Sequence, residues 1–525
     1  MPKVLISDKL SDRAAAIFSE RGIEVDVKTG LEPEELKKII GEYDGLAVRS
    51  ATKVTGEILE AATNMKVVGR AGIGVDNIDI PAATARGVVV MNTPFGNSIT
   101  TAEHALSMMM ALARQIPQAN TSTHAGKWEK SKFMGTELYG KTLGLIGSGN
   151  IGSIVADRAQ GLKMRVIAYD PFLSRERAID LGVEKVELEE LFRRADFITL
   201  HTPLTDQTRG IIDAGAIAKM KNGVRIVNCA RGGLIVEADL KQALDSGKVA
   251  GAALDVFEVE PAKENPLFGL ETLVCTPHLG ASTSEAQENV ALQVAEQMAD
   301  YLLTGAVTNA LNMPSVSAED APRLRPYLAL AEELGGLLGQ VATSSLNSVT
   351  VEYEGEIAGL NTKPITNVIL MGLLRPMIDS VNSVSAPVIA KERDVDVSDT
   401  RSMRTGDYHT LIRVTVETET GKSTVAGSLF GEGKPRIVTL DEIPLEAEVS
   451  EHMLYVRNQD KPGLIGRLGS VLGESGVNIA SFHLGRQSVG GDAIALVAID
   501  QPVEDGVIAK VRDLPNVLRA QALRF

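Results

Sequence analysis

The sequence predicts an α/β protein built on two doubly wound parallel-sheet lobes, followed by two smaller α+β units. Three observations lead there. Short β-branched runs alternate with helix-length stretches through the first hundred residues and again from Lys141 to about Cys275, the pattern of parallel strands covered by helices on both faces. A glycine-spaced turn, Gly147-Ser148-Gly149-Asn150-Ile151-Gly152, stands between an apolar strand and a helical stretch in the second of these blocks. The chain from His452 to the end reads as β-α-β-β-α-β, a ferredoxin-like order. At 525 residues there is material for three or four folding units.

In the first block the strands are KVLIS, IEVDVKT, GLAVRS, KVVGRAG and GVVVMN, with SDRAAAIFSERG and PEELKKII as helices between them. A capping box of Thr100 with Glu103 is expected to open a long apolar helix, HALSMMMALARQI, that marks a crossing between lobes. The second block has KTLGLIG, RVIAYD, ADFITLH, RIVNCA, GAALDV and TLVCT as strands. A second capping box, Ser282 with Glu285, is expected to start a helix reaching about Gly305. The Pro-, Ser- and Ala-rich segment from Gly305 to Pro326 reads as a linker. Beyond it come a helix, LALAEELGGLLGQV, a strand, SVTVEYEG, and a hairpin, TLIRVTVETETGKSTVAGSLF, with no catalytic motif. The last unit runs HMLYVRN (strand), PGLIGRLGSVLGES (helix), VNIASFHLGR and DAIALVAID (strands), VEDGVIAKVRD (helix) and NVLRAQALRF (strand).

The composition, 44% hydrophobic and 23% charged with 49 glycines, is that of a globular protein. A formal charge of -15 repels nucleic acid and anionic membranes, so any anionic ligand needs a local cluster of cations. Cys229 and Cys275 fit no zinc or redox spacing, so no metal centre is expected, both read as packed or backbone positions, and a reducing compartment is the simplest setting. The N-terminus enters a strand directly, without a basic flank or cleavage site, and no apolar run approaches the ~20 residues of a membrane span. A cytoplasmic location is expected.

The turn at Gly147, Gly149 and Gly152 has GxGxxG spacing. The first glycine permits a tight turn, the second lets the backbone approach a pyrophosphate, and the third lets helix and strand pack closely; the helix N-terminus then offers free N–H groups to the anion. The next strand ends in Asp170, about 20 residues on, where a carboxylate meets the adenosine ribose. A carboxylate there repels a 2'-phosphate, which favours NAD over NADP.

Candidate catalytic residues follow the later strands: Arg231 in NCARGG, Asp255 and Glu260 in LDVFEVEP, and His278 in CTPHLGAST. Interconverting a 2-hydroxy acid and a 2-oxo acid needs a hydride carrier, a proton carrier and a cation that grips the carboxylate. Imidazole exchanges protons near working pH, and a neighbouring Glu260 would fix the ring of His278. The planar fork of Arg231 suits a carboxylate.

The GxGxxG turn, the ARGG segment, the acid before a proline and the PHLGAST segment, in that order, resemble the D-2-hydroxyacid dehydrogenase family. The resemblance implies Arg231, Glu260 and His278 as the catalytic set. It implies cofactor contacts at Asn150 and Ile151, Asp170, Thr202, Cys229 and Ala230, Asp255, and Gly280 with Ala281. It also implies a Rossmann cofactor lobe, residues 99–288, inserted in a flavodoxin-like substrate lobe made of residues 1–98 and 289–312. An intervening regulatory domain, 313–450, and a domain of the ACT type, 451–525, follow, with a homotetramer as the usual assembly.

Three N-terminal segments, VRSATKVT, VVGRAGIGVDNID and MNTPFGNS, resemble the branch of that family acting on 3-phosphoglycerate. They imply substrate contacts at Arg49, at Arg70 with the Gly72-Ile73-Gly74 backbone, and at Asn97 and Ser98. The stretch NQDKPGLIGRLGSVLGESGVNIA resembles the amino-acid-binding turn of ACT domains and implies L-serine as an effector held by Asn458, Asp460 and Asn478. The alternatives are a dehydrogenase of another 2-hydroxy acid and an NAD-sensing corepressor-like interaction protein.

Overall fold

The structure, a computed structural model, describes residues 1–342, 344–378, 381–404, 406–419, 421–431 and 433–525. The first lobe holds a five-stranded parallel sheet in the spatial order Glu24–Val27, Lys3–Ile6, Gly45–Val48, Val67–Arg70, Val89–Met91. The second holds a seven-stranded parallel sheet in which Thr142–Ile146 lies between Arg165–Tyr169 and Phe197–Leu200, and the order reverses at that point. Ligands in open parallel sheets bind at such a reversal, outside the carboxyl ends of the strands. The central strands are buried throughout, which is why they read as unbroken β-branched runs.

Two long helices link the lobes. Ser98–Arg114 begins two residues before the expected capping box, with Asn97 at its N-cap, so Thr100 and Glu103 lie within its first turns. Ser284–Thr304 is capped by Thr283, whose side chain accepts the N–H of Ala286. Ser282 is instead tied into the preceding turn by its N–H to Leu279 O, so the cap falls one residue later than expected. This returning helix packs on the first lobe's sheet over Gly69. A methyl group there would lie 2.2 Å from Met298 Sδ and 2.6 Å from Val294 Cγ2.

The expected linker is partly structured. Leu311 N–H bonds to Val90 O, Asn312 Oδ1 accepts Val90 N–H, and the Asn312 amide bonds to Val88 O, so the segment extends the edge of the first sheet. The next helix, Asp320–Val341, starts well before Leu328 and contains Pro326. Proline removes one helical hydrogen bond, but here its ring lies against Gly433 and the helix runs on, its buried face held by packing.

The third unit is a six-stranded sheet, Asp396–Ser402, Leu346–Gly355, Thr410–Thr418, Gly421–Phe430, Lys434–Leu440, Ile443–Ala447, in that order. The first pair is parallel and the others antiparallel. Thr420, at the turn of the expected hairpin, lies outside the described residues. The fourth unit has every expected element: a four-stranded antiparallel sheet with helices Leu464–Glu474 and Asp505–Arg512. Alternate residues of this sheet face opposite ways. Leu454, Val456, Ala495 and Val497 meet its own helices. Met453, Tyr455, Ile494 and Leu496 join a core continuous with the third unit and with the first lobe. Among the described residues no helix is long and apolar enough to cross a membrane.

Gly69→Ala should cost about 1–3 kcal/mol by overpacking the contact with the returning helix, read as a lower melting temperature of the full chain; an unchanged melt would refute the tight contact.

Candidate active site

The carboxyl ends of both sheets face one cleft, which holds two adjoining cavities of about 720 Å³ and 560 Å³. Arg70, Asn97, Glu260 and His278 line both. The larger adds Arg49 and Gly72 from the first lobe. The smaller runs under the glycine turn, past Asn150, Ile151, Thr202, Cys229 and Ala230, and it also takes in Ile73, Gly74, Arg231, Gly280 and Ala281.

His278 and Glu260, which the sequence places together, are in contact: His278 Nδ1 is 2.7 Å from Glu260 Oε2, and Glu260 Oε1 accepts the N–H of Phe257 at 3.0 Å. Partial burial works against the Glu260 charge, but the His278 ring and the Phe257 amide outweigh it and hold the carboxyl below its ordinary range. With Nδ1 occupied by the carboxylate, Nε2 is the ring atom left for substrate.

Three arginines converge from strand ends. Arg231 bonds through Nε to Asp76 at 3.0 Å, across the cleft, and through Nη1 to Ala230 O at 2.7 Å. Arg70 is largely buried, and its Nε has no partner. Burial first, then the charges of Arg231 and Arg49, push its pKa down to about 10. The glycines beneath them are explained by the same crowding. A methyl group on Gly72 would stand 1.8 Å from Arg70 Nη1, and one on Gly74 would stand 1.7 Å from Arg231 Nη2.

The loop carrying Arg49 is fixed by a residue that sequence reasoning missed. Asp8, almost fully buried, accepts the N–H groups of Arg49, Ala51 and Thr52 and the hydroxyl of Thr52. Its only signal was an acid directly after the first strand. Ser98 lines neither cavity; its hydroxyl bonds to Pro94 O.

A dinucleotide fits the glycine turn. Gly147 has φ +92° and packs on the His201 carbonyl, and a methyl group on Gly152 would lie 2.1 Å from Gly147 O, whereas Gly149 faces open space. Helix Asn150–Gly161 starts without a side-chain cap, leaving its first N–H groups for an anion. His201, also missed, lines the smaller cavity with a buried, unpartnered Nδ1, and burial pushes its pKa down to about 4. The adjoining Thr202 was its signal.

Two acids stand back from the cavity walls. Asp170 spans the turn, accepting Ser148 N–H at 2.8 Å, Ser148 Oγ–H at 2.9 Å and Phe172 N–H at 2.9 Å. Asp255 is 0% exposed and its carboxylate is taken up by Thr276, Leu279 and Gly280. His104, Cys229 and Asp255 present metal-ligand-type atoms within 4.8 Å of one another, and the Asp255 carboxylate among them accepts from Thr276, Leu279 and Gly280. Cys229 is buried, and its thiol is pushed up by burial and by Asp255. Cys275, expected to be packed, is exposed and lines the larger cavity, because its strand is the edge of the seven-stranded sheet.

At the far end of the chain, Asn458 is 2% exposed and its Oδ1 is unpartnered. Asp460 accepts from Arg486 and Gly490. Asn478 bonds to Asp500 at the other end of strand Ile479–Arg486, about 23 Å away at ~3.3 Å per residue. One chain therefore does not bring the three together.

Three family models match in chain order: the NAD binding domain of D-isomer specific 2-hydroxyacid dehydrogenases over residues 106–280, the D-3-phosphoglycerate dehydrogenase intervening domain over 323–441, and the ACT domain over 452–516. A D-3-phosphoglycerate dehydrogenase of Synechocystis sp. is 45% identical, covering 100% of this chain and 95% of its own. That of Bacillus subtilis is 42% identical, covering 100% and 99%. Among solved structures, NAD+-bound 3-phosphoglycerate dehydrogenase of Entamoeba histolytica matches 59% of this chain and 98% of its own, at 30% identity and a TM-score of 0.51. The chain therefore belongs to the D-3-phosphoglycerate dehydrogenases, NAD-dependent oxidoreductases of the D-isomer specific 2-hydroxyacid dehydrogenase family.

Proposed function

We propose that the chain oxidises D-3-phosphoglycerate to 3-phosphohydroxypyruvate with NAD, the entry to L-serine synthesis, in the cytoplasm. The observation that carries the substrate is the convergence of Arg49, Arg70 and Arg231 on one cleft, beside the His278–Glu260 pair. A substrate with both a carboxylate and a phosphate supplies negative charge to a cleft in which only Arg231 is bonded to a carboxylate, that of Asp76.

In this reading Arg231 holds the substrate carboxylate and polarises the adjacent carbon, with Asn97 and the Gly72–Gly74 backbone completing the grip. Arg49 and Arg70 hold the phosphate. NAD, seated on the glycine turn with Asp170 at its ribose, supplies the hydride acceptor. His278 removes the proton from the C2 hydroxyl through Nε2, and Glu260 stabilises the imidazolium that results. The lobes, residues 1–98 with 289–312 and residues 99–288, close on the ligands by a hinge at the two linking helices.

The assembly is a homotetramer in this reading. Ile116, Trp128, Met134 and Tyr139, on the segment after the first linking helix, are each exposed and offer apolar surface for a partner copy to cover. Strand Ile479–Arg486 is the edge strand of the terminal sheet, its Gly485 lying against Ile443–Leu445. Antiparallel pairing of two such edges brings Asn478 of one copy beside Asp460 of the other, which assembles an L-serine site from two chains.

The substrate test is NADH formation at 340 nm with a panel of hydroxy acids. Turnover should be confined to 3-phosphoglycerate among the glycerates; equal rates with unphosphorylated glycerate would sink the assignment. His278→Ala should lower kcat by ~10² to 10⁴-fold, and Arg231→Lys should be damaging because an ammonium lacks the planar fork.

The pH profile gives a second check. Glu260 stays ionised below the ordinary carboxylate range, so it keeps its charge across the acid limb of activity. In Glu260→Gln the protonated ring loses its counter-charge, and the acid limb of kcat should move to lower pH, with a smaller loss of rate than in His278→Ala. A limb that stays in place would show that the 2.7 Å contact does not govern the ring.

Millimolar L-serine should inhibit the full-length enzyme, and Asp460→Ala and Asn478→Ala should each abolish inhibition while leaving basal turnover intact. If serine neither inhibits nor raises the melting temperature, the terminal unit is no serine sensor.

A further inference from the structure

We infer that His104 is a positioning residue for His278, acting through Asp255 and Thr276. The inference rests on the role given to His278 above. His104 lies on the linking helix Ser98–Arg114 and lines neither cavity. Its Nε2 is 3.2 Å from Thr276 Oγ1 and 3.2 Å from Asp255 Oδ1. Thr276 gives its one hydroxyl proton to Asp255 Oδ1 at 2.6 Å. The proton between His104 and these two oxygens must therefore be on Nε2 of the ring, which makes His104 the donor.

The buried carboxylate that receives this proton is the anchor of the loop around His278. It accepts Leu279 N–H at 2.7 Å and Gly280 N–H at 2.8 Å, and the Asp255 main-chain carbonyl accepts His278 N–H at 2.9 Å. The residues on both sides of His278 are thus tied to one side chain. The loop needs the restraint, because His278 itself has φ +56°, a left-handed conformation that a non-glycine residue keeps only where its surroundings impose it.

His104 closes the network from the helix side. A buried carboxylate holds its geometry best when every lone pair is satisfied, and a network short of one donor loosens as a whole. The same helix carries Asn97 at its N-cap, on the substrate cavity. The proton-carrying loop and the carboxylate-binding position are therefore referenced to one rigid rod, and His104 is the bond that transmits the reference.

The test is a kinetic cycle on purified full-length enzyme, run with whichever 2-hydroxy acid the wild type oxidises, so that a wrong substrate assignment does not touch it. His104→Leu should lower kcat about 10- to 100-fold, the scale of a slightly misplaced catalytic group. His104→Gln, whose terminal amide can offer an N–H at similar reach, should recover most of that loss. In a His278→Ala background, His104→Leu should cause no further loss, since its effect runs through the imidazole. If the leucine variant does not fold, Thr276→Val, which removes the shared hydroxyl, should show the same loss of kcat and the same absence of effect beside His278→Ala. Wild-type kcat in His104→Leu, a glutamine variant as poor as leucine, or losses that multiply with His278→Ala would each overturn the proposal. A His278→Ala enzyme with near-normal turnover would instead overturn the catalytic role on which it rests.

Discussion

The nested architecture depends on the return of one helix, Ser284–Thr304, to a sheet laid down two hundred residues earlier. Its Met298 and Val294 fill the space left open at Gly69, on the strand Val67–Arg70 of the first sheet. Its Gln297 bonds to Asn92 O, and the Asn92 amide in turn holds Ile73 O in the loop beside Arg70. The N-cap of the same helix, Thr283, follows His278 by five residues. One rod thus sets the cation loop of one lobe and borders the imidazole loop of the other, and the packing of its middle decides where both stand.

The cleft gathers charges that the rest of the chain would disperse. A net charge of -15 keeps anions away at long range, yet three guanidinium groups meet at the strand ends. A largely buried arginine with an unpartnered nitrogen is unfavourable by itself, and burial with the charges of Arg231 and Arg49 pushes the pKa of Arg70 down. Asp255 is the opposite case: burial opposes its charge, but His104, Thr276 and the Leu279 amide hold it ionised.

How much of this was legible in the sequence follows from which residues carry a local signal. The strands of both parallel sheets were legible because burial on two faces demands β-branched runs, and the terminal unit because its apolar strands are set off from its helices by turns that hold Gly, Pro and Asn. Arg231, Glu260 and His278 could be placed because their motifs follow strands. The start of helix Asp320–Val341 was hidden by Pro326, which reads as a stop unless the packing against Gly433 is known. Strand Asp396–Ser402 is exposed along its length and carries no apolar alternation at all. Asp8 and His104 were invisible for a different reason: their partners lie at residues 49–52 and at 255 and 276, and only the folded chain brings them there.

The terminal sheet is apolar on both sides, one covered by its own helices and the other by the third unit. In sequence this module is a detachable appendage, but in solvation it is not. Cutting the chain near Ser450 would uncover Met453, Tyr455, Ile494 and Leu496 on one fragment and their apolar counterparts, among them Ile437 and Leu445, on the other. Neither surface is fit for water. Loss or exchange of the module over evolutionary time therefore requires compensating substitutions on the body, and a shortened relative must have repainted that face with polar side chains.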